Sequence, residues 1–235
     1  MKDPFTHAGQ KELAAALRSD DDETRVRAAC AVGDQLRFKE ITALETPLRL
    51  ELVKAAKDAS IGFSDLRFEA AIALCEARDP EGAVLLDALE LKDRRFDAVK
   101  ALSRLDTEPV RNTLAFMARR MLIPWADRLV ASAACAVLGD RDGARYFEKM
   151  LTTRWFLSRR AMALHLLGEL RHPEAFTVLS GLAGSVGDPA RPVAIRALGH
   201  LGDKRAVKQL QEIFAAQPEG ADLHEDLRYA LDLLT

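Results

Sequence analysis

The chain has 235 residues, 49% hydrophobic, 30% charged and only 6% aromatic, which supplies ample apolar surface for a core and excludes a disordered polymer. Its formal net charge of −2 gives the molecule as a whole no attraction for nucleic acid or anionic lipid. Residues 1–7 carry no apolar run of signal-peptide length, and no stretch approaches the roughly 20 apolar residues of a membrane span, so a soluble cytoplasmic protein is expected.

One pattern recurs along the chain: Arg-x-x-Ala-x-x-Ala-Leu, clearest at Arg67, Ala70, Ala73 and Leu74. Its first position is occupied by Arg25, Arg67, Arg95, Arg128, Arg160, Arg191 and His224, at separations of 42, 28, 33, 32, 31 and 33 residues. A period of that size marks stacked supersecondary units. Each copy reads as the second helix (B) of a pair, with a first helix (A) before it. In chain order the pairs lie near 8–37, 46–77, 80–105, 107–139, 141–170, 173–202 and 204–234. The acidic run Asp20-Asp21-Asp22-Glu23 precedes the first B helix and reads as its cap. A longer connection over 34–46 follows, and the third pair is the shortest. The A-to-B turns of the fourth and fifth pairs contain Leu122-Ile123-Pro124-Trp125 and Trp155-Phe156-Leu157. In the sixth pair, Pro173 starts helix A, Asp188 is placed to cap helix B, and Gly199 and Gly202 end it. The fold expected is an all-α solenoid of about seven antiparallel helix pairs in one domain spanning 1–235.

With the signature position at 0° and 100° per residue, offsets 3, 6, 7 and 10 share one sector, occupied by Ala, Ala, Leu and usually Leu. That sector is the buried face. Small alanines let neighbouring helices approach, and leucines fill the layer between repeats. Cys30, Cys75 and Cys135 lie far apart inside apolar stretches, without Cys-x-x-Cys spacing, and read as core residues rather than metal ligands or disulfides. The histidines do not form a ligand-spaced set, although His165 and His200 stand where they can approach across repeats. Neither a phosphate loop, a nucleophile elbow nor a paired-carboxylate motif is present, and no cofactor, metal or catalytic residue is expected.

Residues Asp188 to Gly199, Asp-Pro-Ala-Arg-Pro-Val-Ala-Ile-Arg-Ala-Leu-Gly, resemble the B helix of short bacterial HEAT-like repeats, the type also found in phycobilisome-lyase relatives. In that family the arginine often pairs with an acid near the start of helix B. Asp22 and Asp188 stand three residues before Arg25 and Arg191, and other repeats lack such an aspartate. The resemblance implies that helix B lines a concave groove, with offsets 2, 5 and 9 facing it. Val130, Met162 and Val193 would then form an apolar strip about 20 Å long, at a spacing on the order of 10 Å per repeat, beside Ala133, His165 and Arg196. An exposed strip of this kind marks a binding site.

The function expected is therefore a non-catalytic adaptor that binds a segment of another protein. Its candidate binding residues are Val130, Met162, Val193, His165 and Arg196 in the groove and Trp125, Trp155 and Phe156 at the turns. Large apolar residues in turns either pack beneath the helices or present a patch on one edge, and such an edge would equally serve a homodimer. Residues 141–208 carry a local charge of +6, against −5 over 209–235, which leaves nucleic-acid binding through the basic segment as an alternative. The resemblance also leaves open a DNA-glycosylase-like or bilin-lyase-like activity.

Overall fold

The computed structural model describes residues 5, 7–38, 40–60, 62–216 and 222–234. Met1–Pro4 and Thr6, on which the lack of a leader was read, and residues 217–221 of the acidic C-terminal stretch lie outside them. Among the described residues there are thirteen α-helices, one 3₁₀ helix and no strand. They form seven helix pairs, as the repeat spacing predicts. The first three are α1 (Gln10–Ala16) with α2 (Asp22–Arg37), α3 (Thr46–Lys57) with α4 (Asp65–Glu76), and the 3₁₀ helix (Pro80–Glu90) with α5 (Arg95–Leu102). The remainder are α6 (Glu108–Arg119) with α7 (Trp125–Val137), α8 (Arg141–Thr152) with α9 (Leu157–Glu169), α10 (Ala175–Gly184) with α11 (Arg191–Leu201), and α12 (Ala206–Ala215) with α13 (Leu223–Asp232). No helix among the described residues is long and apolar enough to cross a membrane. The chain divides into two compact units, Met1–Asn112 and Thr113–Thr235.

In the first unit three helix starts are capped by side chains, the first of them from the predicted acidic run. Asp21 accepts a hydrogen bond from the Thr24 amide at 2.8 Å, Ser64 one from Arg67 at 3.2 Å and Asp79 one from Glu81 at 3.0 Å. The acidic run is thus a cap, and the Thr24 bonds hold the Asp21 carboxyl below its ordinary range. Leu13, Leu48, Leu52, Leu74, Leu85 and Leu102 fill the layer between pairs with no exposure. The 28-residue separation between the second and third signatures goes with the short connections on either side of the 3₁₀ helix, residues 77–79 and 91–94; that helix, at 11 residues, is no shorter than α10 or α12. Gly82 seats this helix closely, because a Cβ there would stand 2.7 Å from Cys75 Sγ.

The signature arginines have a function the periodicity does not reveal. The Nε of Arg67 donates to the Ala56 carbonyl at 3.0 Å, that of Arg128 to Ala118 at 3.0 Å and that of Arg191 to Ala183 at 2.8 Å, and Arg95 reaches Leu89 in the same way. All four acceptors lie in the last turn of helix A of the same pair. Carbonyls there have no intrahelical donor, and a cation suits the negative end of the helix dipole. Each of these arginines therefore ties the end of A to the start of B. Of the two signature pairs implied three residues apart, Asp22 and Arg25 are bonded. Asp188 instead holds Arg160 of the preceding pair through both terminal nitrogens, at 3.1 and 3.0 Å, a bond that keeps its carboxyl ionised below the usual range. The expected cap of α11 is displaced accordingly: the N-cap position is Ala190, whose amide donates to Asp188 at 2.8 Å. Gly202 ends α11 in the left-handed region at φ 70°, and Gly139 makes the same turn after α7 at φ 80°.

Consecutive B helices of the second unit meet backbone to backbone. A Cβ on Gly168 would lie 2.3 Å from the Ala197 carbonyl oxygen, and one on Gly199 would lie 2.8 Å from the Ala230 Cα. Both contacts join offset 8 of one repeat to offset 6 of the next, and Gly33 meets Ala73 in the first unit by the same rule, with more room at 3.8 Å. Gly168→Ala is expected to destabilise the protein by about 2–3 kcal/mol through overpacking. Gly181→Ala, on α10 with nothing within 4 Å of the added Cβ, is expected to stabilise it by about 0.5–1 kcal/mol. Urea denaturation of the two variants beside wild type checks both signs.

Candidate protein-interaction surface

The turns joining α6 to α7 and α8 to α9 carry large apolar side chains in solvent. Leu122 is 96% exposed, Trp155 91% and Met121 80%; Phe156 and Leu157 are about half exposed, and Trp125 is 39% exposed. Local sequence explains why they stay out. Pro124 stands at the N-cap of α7 and Phe156 at that of α9, neither provides a side-chain cap, and both B helices begin with a bulky residue, Trp125 or Leu157, pointing away from the alanine face. Trp125, Trp155, Phe156, Leu157, Ser158 and Arg159 line a cleft of about 460 Å³. Within it the Arg159 guanidinium lies 5.4 Å from the Trp125 ring centre and 4.9 Å from that of Phe156, and donates to the Tyr146 hydroxyl at 3.3 Å. Of the two arrangements open to turn residues, the structure shows the exposed edge, and it brings Trp125, Trp155 and Phe156 together.

The apolar strip expected along the B helices does not form. Val130 has no exposed surface and Ala133 1%, so both belong to the core of α7. Helix α7 is rich in alanine around them, Ala131, Ala133 and Ala134, and an Ala-rich helix is packed against on more of its circumference than the 100° sector assumed for it. Met162 and Val193 keep partial exposure on α9 and α11, and the open face around them is polar. His165 and His200 meet edge to face with ring centres 5.0 Å apart, and His200 is followed by Tyr229 at 5.7 Å, whose hydroxyl lies 3.4 Å from His200 Nε2. His165 Nε2 is 3.3 Å from the Glu169 carboxylate, and Arg196 pairs with Asp226 and, at 3.5 Å, with Glu225 while lying over the Tyr229 ring. The face is thus a ladder of rings and ion pairs satisfied among themselves. Among the described residues no group of three or more His, Cys, Asp or Glu could hold a metal ion.

Pairing also breaks up the basic segment. Arg145 is bonded to Asp142 at 2.7 Å, Arg160 to Asp188, Arg196 to Asp226 and Arg205 to Asp203 at 2.5 Å, while Arg191 is buried on a carbonyl. The continuous cation row that phosphate tracking needs is therefore interrupted.

Residues 193–215, most of α11 and all of α12, match the PBS lyase HEAT-like repeat. The complex of CpcE and CpcF of phycocyanin lyase from Nostoc sp. PCC7120 is similar over 100% of this chain and 97% of its own, at 20% identity and a TM-score of 0.54. The fold is that of a HEAT-like repeat protein. Human deoxyhypusine hydroxylase in complex with glycerol aligns over 98% of this chain and 87% of its own at 20% identity, with a TM-score of 0.37. A search of curated proteins with the sequence finds no match.

In the first HEAT-like unit the corresponding B-helix face is acidic, with Glu69 partly buried and Asp34 and Asp97 exposed. Glu69 accepts a hydrogen bond from the Cys30 thiol; burial raises its carboxyl above the ordinary range, and Asp97 and Asp34 add to the rise. Burial and the Glu69 charge push the Cys30 thiol up to about 12, so it stays protonated and unreactive at neutral pH. Partial desolvation raises Asp34 as well, and Glu76 is held between Arg37 at 3.2 Å and Arg104 at 3.5 Å. A carboxyl raised in the folded state contributes stability that is complete below its unfolded value and is lost as pH rises through the folded one. Glu69→Gln keeps an acceptor for Cys30 and removes the buried charge. The variant is expected to melt higher than wild type at neutral pH and above, with the difference vanishing below the ordinary carboxylate range. Thermal melts across that pH series measure it.

Proposed function

We propose that the protein is a non-catalytic binding module that docks another protein along the edge built by the turns of the fourth and fifth pairs. The observation that carries this reading is the exposure of Trp155, Leu122 and Met121 in adjacent turns of a single HEAT-like unit, where helical repeats ordinarily place polar residues. Trp and Arg in a partly desolvated cleft are the residue types that dominate protein interfaces. The Nostoc protein with the same fold is a complex of two chains, which supports association as a use of this architecture. A cytoplasmic setting and the absence of chemistry of its own belong to the same proposal. The Met162, His165, Val193 and Arg196 face is the second surface available to the same partner, and Val130 supports it from the core.

A photo-crosslinking residue placed at Trp155 is expected to give a discrete protein adduct in a native lysate, while the same residue at exposed Lys54 of the other unit gives none. Trp155→Ala should weaken capture of that adduct's protein about thirty-fold, the size of a typical hot spot, with the melting temperature unchanged. Identical labelling at positions 155 and 54 would remove the proposal.

A further inference from the structure

We infer that the occupant of this edge is a partner-protein segment in which a large apolar anchor is flanked by carboxylates, an inference that rests on the docking reading above. The argument is one of uncompensated charge. Elsewhere in the unit several exposed arginines have acids: Arg119 has Asp140, Arg145 has Asp142, Arg196 has Asp226 and Arg205 has Asp203, while exposed Arg228 lies over the Phe214 ring. Among the described residues, no acid is bonded to the three at the edge. Arg159 is stacked on Trp125 and Phe156 and bonded only to the Tyr146 hydroxyl, and Arg120 lies 5.2 Å over the Phe116 ring. Arg154 acts on Asp188 only at longer range, that carboxylate being held by both terminal nitrogens of Arg160.

The start of α9 adds to the same demand. Helices α2 and α8 receive Asp21 and Asp140 as caps, whereas Phe156 provides α9 with no side-chain acceptor and its first turn holds no acid. The positive end of a thirteen-residue helix therefore opens beside Arg159 without an anion. Guanidinium groups held over aromatic rings keep their N–H forks available for bidentate carboxylate binding. Because Met121, Leu122, Trp155 and Leu157 interrupt these cations, the surface fits carboxylates set beside an apolar side chain rather than an unbroken polyanion.

The full chain panned against a random-peptide display library is expected to select peptides with Trp, Phe, Leu or Met close to Asp or Glu. Their synthetic forms should lose about ten-fold or more in affinity on Arg154→Glu and on Trp155→Ala, and should weaken with added salt. Should Arg159→Gln melt early because the guanidinium is packed, the exposed Arg154→Glu still decides. Selected peptides that need Trp155 but show no acidic preference would overturn the carboxylate inference and leave the docking reading standing. Peptides indifferent to Trp155→Ala would overturn both. Tighter binding to poly-uridine RNA than to any peptide, lost on Arg154→Glu, would overturn the inference in favour of nucleic acid. A dimer in sedimentation velocity that dissociates on Trp155→Ala would overturn it in favour of a second copy of the chain.

Discussion

The structure of each unit depends on how closely one B helix can approach the next. Glycine at offset 8 and alanine at offset 6 let the backbones of α9, α11 and α13 meet with no side chain between them. Leucines on either side of that contact are then brought into one continuous layer, and burial of the layer supplies the bulk of the stabilisation, since a single pair has nothing against which to bury its own apolar face. Close approach also sets what happens at the surface. When the B helices pack at backbone distance, the residues one step round the helix, His165, His200 and Tyr229, are forced into ring contact.

A second constraint acts within each pair. The arginine that opens most signatures satisfies a carbonyl at the end of helix A, so the A-to-B turn is closed from inside by a charged hydrogen bond rather than by apolar side chains packing beneath it. This arrangement explains how the fourth turn, closed by Arg128, can hold tryptophan, leucine and methionine outside the core; in the fifth pair the signature Arg160 is bonded to Asp188 instead. The turn geometry does not use them. Their burial is available to a partner because the fold does not need it, whereas in a turn closed by apolar packing the same residues would be structural.

The fold was legible because its determinants are local and repeated. A 31–33-residue period with alanines at fixed offsets can encode little else than stacked helix pairs, and the observed helices lie where that period puts them. The approach of His165 to His200 followed from offsets 5 and 9, which face the same side of the B helices in adjacent repeats. Less legible was anything depending on how much of a helix its neighbours cover. Val130 and Met162 occupy the same offset with the same polarity, yet one is fully buried and the other partly open, a difference set by local packing that a helical wheel does not contain. The arginine-to-carbonyl bonds escaped notice because their acceptor is backbone and leaves no mark in the sequence. The exposure of the two tryptophan turns was likewise undecidable from residue type alone, since packed and displayed turns have the same composition.

The chain contains two tryptophans, and both stand at one edge of one unit. Its intrinsic ultraviolet emission is therefore insensitive to the Met1–Asn112 unit and reports almost nothing of the leucine layers. What it does sense is the water around Trp155 and the guanidinium beside Trp125. The native state should already emit at the long wavelength usually associated with an opened chain, so loss of structure would produce little spectral change, while occupation of the edge would shift the emission to the blue. For this molecule, tryptophan fluorescence is an optical gauge of the surface and a poor one of the core.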